Sequence, residues 1–188
     1  TGKKSNLSDI IEKIEFVEAD MGDLQVAQAA MRDIGVVLHQ GALPSVPRSV
    51  DDPALTHRHC VDATFTLLMA ARDAGVKRFV YAASSSAYGD APTSPKVETM
   101  PPNPLSPYAV GKLVGEYYGS VFSKVFGVET ISLRYFNVFG PYQDPASQYA
   151  AAIPAFVTAI LNDQPPTIYG DGEQSRDFTY IDNVVEAN

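Results

Sequence analysis

The sequence holds a single cysteine, Cys60, and no tryptophan in 188 residues. One thiol excludes an internal disulfide framework and fits a reducing compartment, so the cytoplasm is the expected location. No stretch approaches the ~20 consecutive apolar residues of a membrane span. The opening "TGKKSNLSD" is polar and lacks the apolar centre of a secretory signal. Basic residues are few: 14 Lys+Arg against 22 Asp+Glu leave a net charge of −8. That balance argues against a nucleic-acid or anionic-membrane partner, while local cations and helix N-termini still permit an anionic ligand. No G-x-G-x-x-G or near variant occurs, so the chain lacks the usual turn that grips a dinucleotide pyrophosphate. His39, His57 and His59 have no cysteine or carboxylate partners at ligand spacing, and no metal site is expected.

What is present is the pattern of an α/β domain. Hydrophobic residues make up 45% of the chain and charged residues 19%, enough to build one core. "VVLH" (36–39), "RFVYAA" (78–83) and "VETISLRYF" (128–136) read as short buried strands. "KIEFVEAD" (13–20) and "PTIYG" (166–170) read as further strands. Helical patterns lie between them, over 22–35 with Asp23 as N-cap and Gly35 as stop, over 53–75, over 107–127 and over 151–163. A last helix begins at Asp182, read as its cap. This alternation predicts a doubly wound parallel sheet, whose ligand crevice lies beyond the carboxyl ends of the strands. Three polar clusters follow strands there: "QGALPSVPRS", "SSSAYGD" and "NVFGPYQ". The segment 90–107 holds six prolines and reads as a stiff loop.

The chemistry concentrates in "SPYAVGK" (106–112). Tyr108 and Lys112 are four residues apart at a helix start, hence on one face and about a turn apart. Taken alone, such a pair is more often a core aromatic beside a solvated lysine. "AASSSAYG" (82–89) adds a serine at the end of a strand, able to share a hydrogen bond at the same reacting oxygen. A nearby Lys112 cation would favour the phenolate and lower the Tyr108 pKa.

"SSSAYG", then "SPYAVGK", then "LRYFNVFGP" resemble the extended short-chain dehydrogenase/reductase family, and within it the UDP-sugar 4-epimerases. "LHQGALPSVPRS", "YAAIPAF" and "YGDGEQSRDFTYIDNVVEAN" extend the resemblance over essentially the whole chain. It implies a Rossmann-type NAD-binding core over 1–136 that lacks its first strand and glycine loop. The start of a small nucleotide-sugar-binding portion would follow over 137–188, so both ends read as cut.

The resemblance also implies roles. Tyr108 would take the sugar 4-hydroxyl proton, Lys112 would hold the nicotinamide ribose and tune Tyr108, and Ser84 would share the hydrogen bond at O4. Asp20 and Met21 match the adenine-contacting pair. Gln40, Gly41 and Ala42 match the loop under the cofactor, Ala82 lies beside it, and Tyr135 and Phe136 stand at the nicotinamide end. Asn137 and Arg176 would meet the nucleotide-sugar phosphates. Ser45, Ser85, Ser86, Gln143 and Ala151 would wall the hexose, with Thr167 and Tyr169 near the uracil. Relatives that dehydrate or decarboxylate the sugar carry an acid in the triplet before Tyr-Gly; Ser84, Ser85 and Ser86 offer none, which argues for simple epimerisation. Two positions depart from the pattern. Cys60 stands where the family usually has a bridging asparagine that also touches the cofactor region, and Pro44 stands where a glycine is common. The expected cofactor is NAD and the expected partner a UDP-sugar. A homodimer through a four-helix bundle of the helices over 53–75 and 107–127 is implied. A UDP-glucuronate 4-epimerase and a non-catalytic nucleotide-sugar-binding module are the alternatives.

Overall fold

Parallel strands joined by helices organise the larger part of the chain. The computed structural model describes residues 2–144, 152–168 and 170–188, in two units, Val17–Tyr135 and Thr1–Phe16 with Phe136–Asn188. In the first unit, β1 (Val36–His39), β2 (Arg78–Ser84) and β3 (Glu129–Tyr135) form a sheet in that order, every pair parallel. Helices α1 (Leu24–Ala30), α4 (Ala63–Ala74) and α5 (Pro107–Phe126) pack with it. Two shorter ones, α2 (Val46–Asp51) and α3 (Pro53–His57), precede α4 in the chain. The core joins Ala27 and Met31 of the α1 region, Leu68 and Ala71 of α4, Phe122 of α5, and Phe79, Tyr81 and Ala83 on one face of β2. β2 is buried along nearly its whole length, as a central parallel strand requires.

Local chemistry explains these boundaries. Ser106 caps α5 by accepting from the Ala109 amide, Pro107 pre-sets the first turn, and Gly127 closes the helix in the left-handed region. Asp23 caps α1 through the amides of Gln25 and Val26, as its position predicts.

Several expectations give way. Residues 13–20 start at the end of a short 3-10 turn (Ile11–Lys13) and continue with Ile14 extended but no strand. An extended segment becomes a strand only through ladder bonds, and no neighbour pairs with this one among the described residues. α1 ends at Ala30, before Gly35, and Asp33 takes the positive φ of 61°. The helix expected over 53–75 is three pieces, because a π-helical turn (Arg58–Asp62) separates α3 from α4. The loop before it contains α2, capped by Ser45 and opened by a proline.

In the second unit, β4 (Asn137–Phe139) and β5 (Phe178–Tyr180) pair in parallel, with helices α6 (Ala152–Leu161) and α7 (Ile181–Ala187). The described part of 166–170 is not a strand, since it too lacks a pairing partner. Asp182 lies within the first turn of α7; the cap position is Tyr180. Among the described residues no helix is long and apolar enough to cross a membrane.

Candidate active site

The carboxyl end of β2 and the start of α5 carry Ala82, Ser84, Tyr108 and Lys112. Ser84 Oγ accepts from the Ser86 amide at 3.2 Å and from Ser86 Oγ at 2.8 Å. A hydroxyl has two acceptor positions and one proton. Ser84 acts on the Tyr108 phenol in the direction that favours the phenolate. Burial is the larger influence and raises the Tyr108 pKa, with Cys60 adding to the rise and Ser84 opposing it. The expected lowering by Lys112 is therefore not what this arrangement produces. The ammonium is turned to the sheet instead, where Nζ donates to the Ala82 carbonyl at 2.7 Å.

Lys112 is 3% exposed. Burial depresses its pKa to about 8, although Cys60 pulls the other way. The Lys112 ammonium lies over the Tyr81 ring, whose hydroxyl donates to the Lys112 backbone carbonyl at 3.4 Å. Beneath them, His39 Nε2 and Thr64 Oγ1 are 2.9 Å apart, and Thr64 Oγ1 donates to the Cys60 carbonyl at 2.7 Å. His39 is held neutral, its pKa pushed down to about 3 by burial and then by Lys112. Cys60 is buried in the π-helical turn. A Cβ built on Gly111 would lie 3.1 Å from Cys60 Cβ, so α5 and the π turn are in close contact.

The residues expected to hold NAD pass a test of fit at two points. Of the three N–H bonds of the Lys112 ammonium, one is used among the described residues, which leaves two donors for ribose hydroxyls. At the end of β1, a Cβ on Gly41 would come within 2.5 Å of the Met21 side chain. The loops of Met21 and Gly41 thus meet closely, and a side chain at 41 would require the end of Met21 to shift. Asp20 accepts from the Gly22 amide at 2.8 Å, a turn role that leaves its other oxygen exposed. Gln40 Nε2 donates to the Tyr135 hydroxyl at 3.3 Å. Ser45 uses its hydroxyl to cap α2 through the Arg48 amide.

In the second unit, Asn137 donates from its side-chain amide to the Asp177 carbonyl at 3.0 Å, tying β4 to the chain before β5. Gln143 donates to the Val138 carbonyl at 3.4 Å and lines a cleft of about 300 Å³ with Phe139, Gly140, Pro154 and Val157. Arg176 and Thr167 are exposed, and Phe136 opens this unit. Ala151 and Tyr169 lie outside the described residues. No cluster of three or more metal-ligating side chains occurs among the described residues. Motif reading passed over Tyr81 and Arg134. The available signals were a glycine on α5 opposite a strand aromatic and an arginine inside an apolar strand.

A parallel sheet with serine at one strand end and Tyr-x-x-x-Lys on the next helix defines a class. The chain belongs to the NAD dependent epimerase/dehydratase family, whose sequence model matches residues 1–188. It is similar to the UDP-glucose 4-epimerase of Mycolicibacterium smegmatis, 38% identical over 191 residues, covering 100% of this chain and 61% of that one. Among solved structures it resembles the UDP-N-acetylglucosamine 4-epimerase from Methanobrevibacter ruminantium M1 in complex with UDP-N-acetylmuramic acid. That match has a TM-score of 0.96 at 41% identity and covers 100% of this chain and 61% of that one. The UDP-glucose 4-epimerase of Thermus thermophilus, solved in complex with NAD, matches at TM-score 0.89 and 36% identity, covering 100% and 62%. The chain thus spans about three-fifths of the length of these relatives, and the family expected from the motifs is the family found.

Proposed function

We propose that this chain serves an NAD-dependent 4-epimerase acting on a UDP-hexose or UDP-N-acetylhexosamine. The observation that carries the reading is Ser84 at the end of β2 and Tyr108 at the start of α5, with the Lys112 ammonium buried one turn further along α5 and bonded to the Ala82 carbonyl. Membership of the family and likeness to the epimerases above support it. NAD, when bound, supplies the hydride acceptor and donor for C4. Lys112 offers two N–H groups to the ribose. Tyr108 accepts the 4-hydroxyl proton and later returns it, and Ser84 gives its one proton to the same sugar oxygen. The sugar passes through a 4-keto form and turns over, so the hydrogen returns to the opposite face and no net oxidation occurs. The serine triplet carries no acid, which fits chemistry confined to C4. Asn137 and Arg176 are assigned to the nucleotide-sugar phosphates, and the cleft beside Gln143 to the nucleotide sugar. The outward side chains of α4 and α5, Phe65, Tyr117, Tyr118 and Val121, are exposed apolar residues that suit a helical homodimer interface. The cytoplasm is the proposed compartment.

The test uses the full-length protein with NAD and follows UDP-GlcNAc and UDP-GalNAc by NMR. Interconversion without accumulation of NADH is expected, and Tyr108→Phe should lower kcat about 10³-fold while UDP-sugar affinity stays within about threefold. A Tyr108→Phe protein that turns over normally overturns the mechanism. Tight UDP-sugar binding without exchange at C4 favours a binding module instead.

A further inference from the structure

Arg134 occupies a junction that the proposed chemistry has not used. β2 and β3 pair Ala83 with Arg134 and Ser84 with Tyr135, so Arg134 is next in register to the catalytic serine's own partner. Its guanidinium forks onto Glu116, Nε to Oε1 at 2.9 Å and Nη2 to Oε2 at 2.7 Å. Both side chains are largely buried, 17% and 13% exposed. The guanidinium also lies over the Tyr88 ring, with Cζ 4.6 Å from its centroid. Nη1 is buried without a hydrogen-bond partner among the described residues.

The two partners belong to the two elements that must meet. Tyr88 ends the 3-10 turn (Ser85–Tyr88) that Ser84 caps. Glu116 follows Lys112 by one turn and Tyr108 by two on α5. The Lys112–Ala82 bond already ties α5 to β2, and α5 also touches the turn directly. A planar fork bonded to Glu116 and lying over the Tyr88 ring adds a directional tie between them, because a buried guanidinium has few geometries in which its charge is compensated. Building on the proposed function, we propose that Arg134 is a positioning residue that sets the Ser84 hydroxyl against the Tyr108 hydroxyl through Tyr88 and Glu116.

The test is a double-mutant cycle in the full-length protein with NAD. Arg134→Lys keeps the charge but gives up the planar fork. It should lower kcat about 30-fold, within the range a 1 Å misplacement produces, with KM for the UDP-sugar changed less than about threefold. In a Ser84→Ala background the same change should lower kcat less than about threefold, because the alignment it serves is already lost. Equal factors in both backgrounds assign Arg134 a purely structural role and overturn the proposal. If Arg134→Lys does not fold, Arg134→Met with Glu116→Met replaces the pair by apolar side chains and is read in the same way.

A second readout needs no turnover. The Tyr108 phenol is titrated by ultraviolet difference absorbance against Tyr108→Phe. Arg134→Lys and Ser84→Ala should move it upward by the same amount, and the combination no further. An unmoved titration in Arg134→Lys overturns the positioning role. A shifted titration in a protein that does not epimerise sustains it while the functional reading fails.

Discussion

The ammonium of Lys112 lies 5.0 Å from the centroid of the Tyr81 ring. This seat keeps a lysine charged in a buried place, with the π face and the Ala82 carbonyl as its two compensations. The compensation is incomplete, since burial still draws the pKa down to about 8 from 10.5.

That depression has a sign in stability. Between pH 8 and 10.5 the unfolded lysine holds a proton that the folded one has released, so this group makes stability rise with pH there. Below pH 8 its penalty is fully present, roughly 3 kcal/mol. Lys112→Met in the NAD-free protein should therefore raise Tm at pH 7, with the advantage shrinking toward pH 10. Urea midpoints at the two pH values measure this. An advantage that does not change with pH would contradict the account.

His39 works over a different window. Its folded pKa near 3 lies below the unfolded 6.5, so its contribution is complete above pH 6.5 and drains away as pH falls toward 3. By pH 5 the loss is about 2 kcal/mol. His39→Gln should flatten the fall in the urea midpoint between pH 7 and pH 5 relative to the unaltered protein. Identical falls in both proteins would show that His39 is not the group responsible.

Tyr81 depends on Gly115. A Cβ at Gly115 would lie 2.5 Å from the ring, and the ring is buried on every side. Gly115→Ala should cost about 1–3 kcal/mol, measured by thermal unfolding. Gly35→Ala is the control, because nothing stands within 4 Å of a Cβ there.

The cap of α1 is a smaller effect. Asp23 accepts from Gln25 N at 2.8 Å and from Val26 N at 3.3 Å. Asp23→Ala should destabilise by about 1 kcal/mol and Asp23→Ser by much less, as read from urea denaturation.

Much of this protein was legible because its signals are local. Ser106, Pro107 and Gly127 bracket α5 within one stretch of chain, and "VVLH" and "RFVYAA" mark buried strands by composition alone. Tyr108 and Lys112 share a helix face because their spacing is a property of the helix. Strand pairing is not local. Residues 13–20 and 166–168 have strand-like composition, yet a strand exists only where a partner supplies ladder bonds. The π turn at Cys60, buried against Gly111, was hidden for a related reason: the apolar pattern over 53–75 continues through it.

The sequence by itself determined the parallel α/β plan, the placing of Tyr108 and Lys112 on one helix face, and the family. Only the tertiary structure decided how those groups are supported. Tyr81 beneath Lys112, His39 against Thr64, and Arg134 between Tyr88 and Glu116 join residues 18 or more positions apart in the chain. No periodicity records such pairings, because they arise when separate strands and helices are packed and each buried polar group must find its partner.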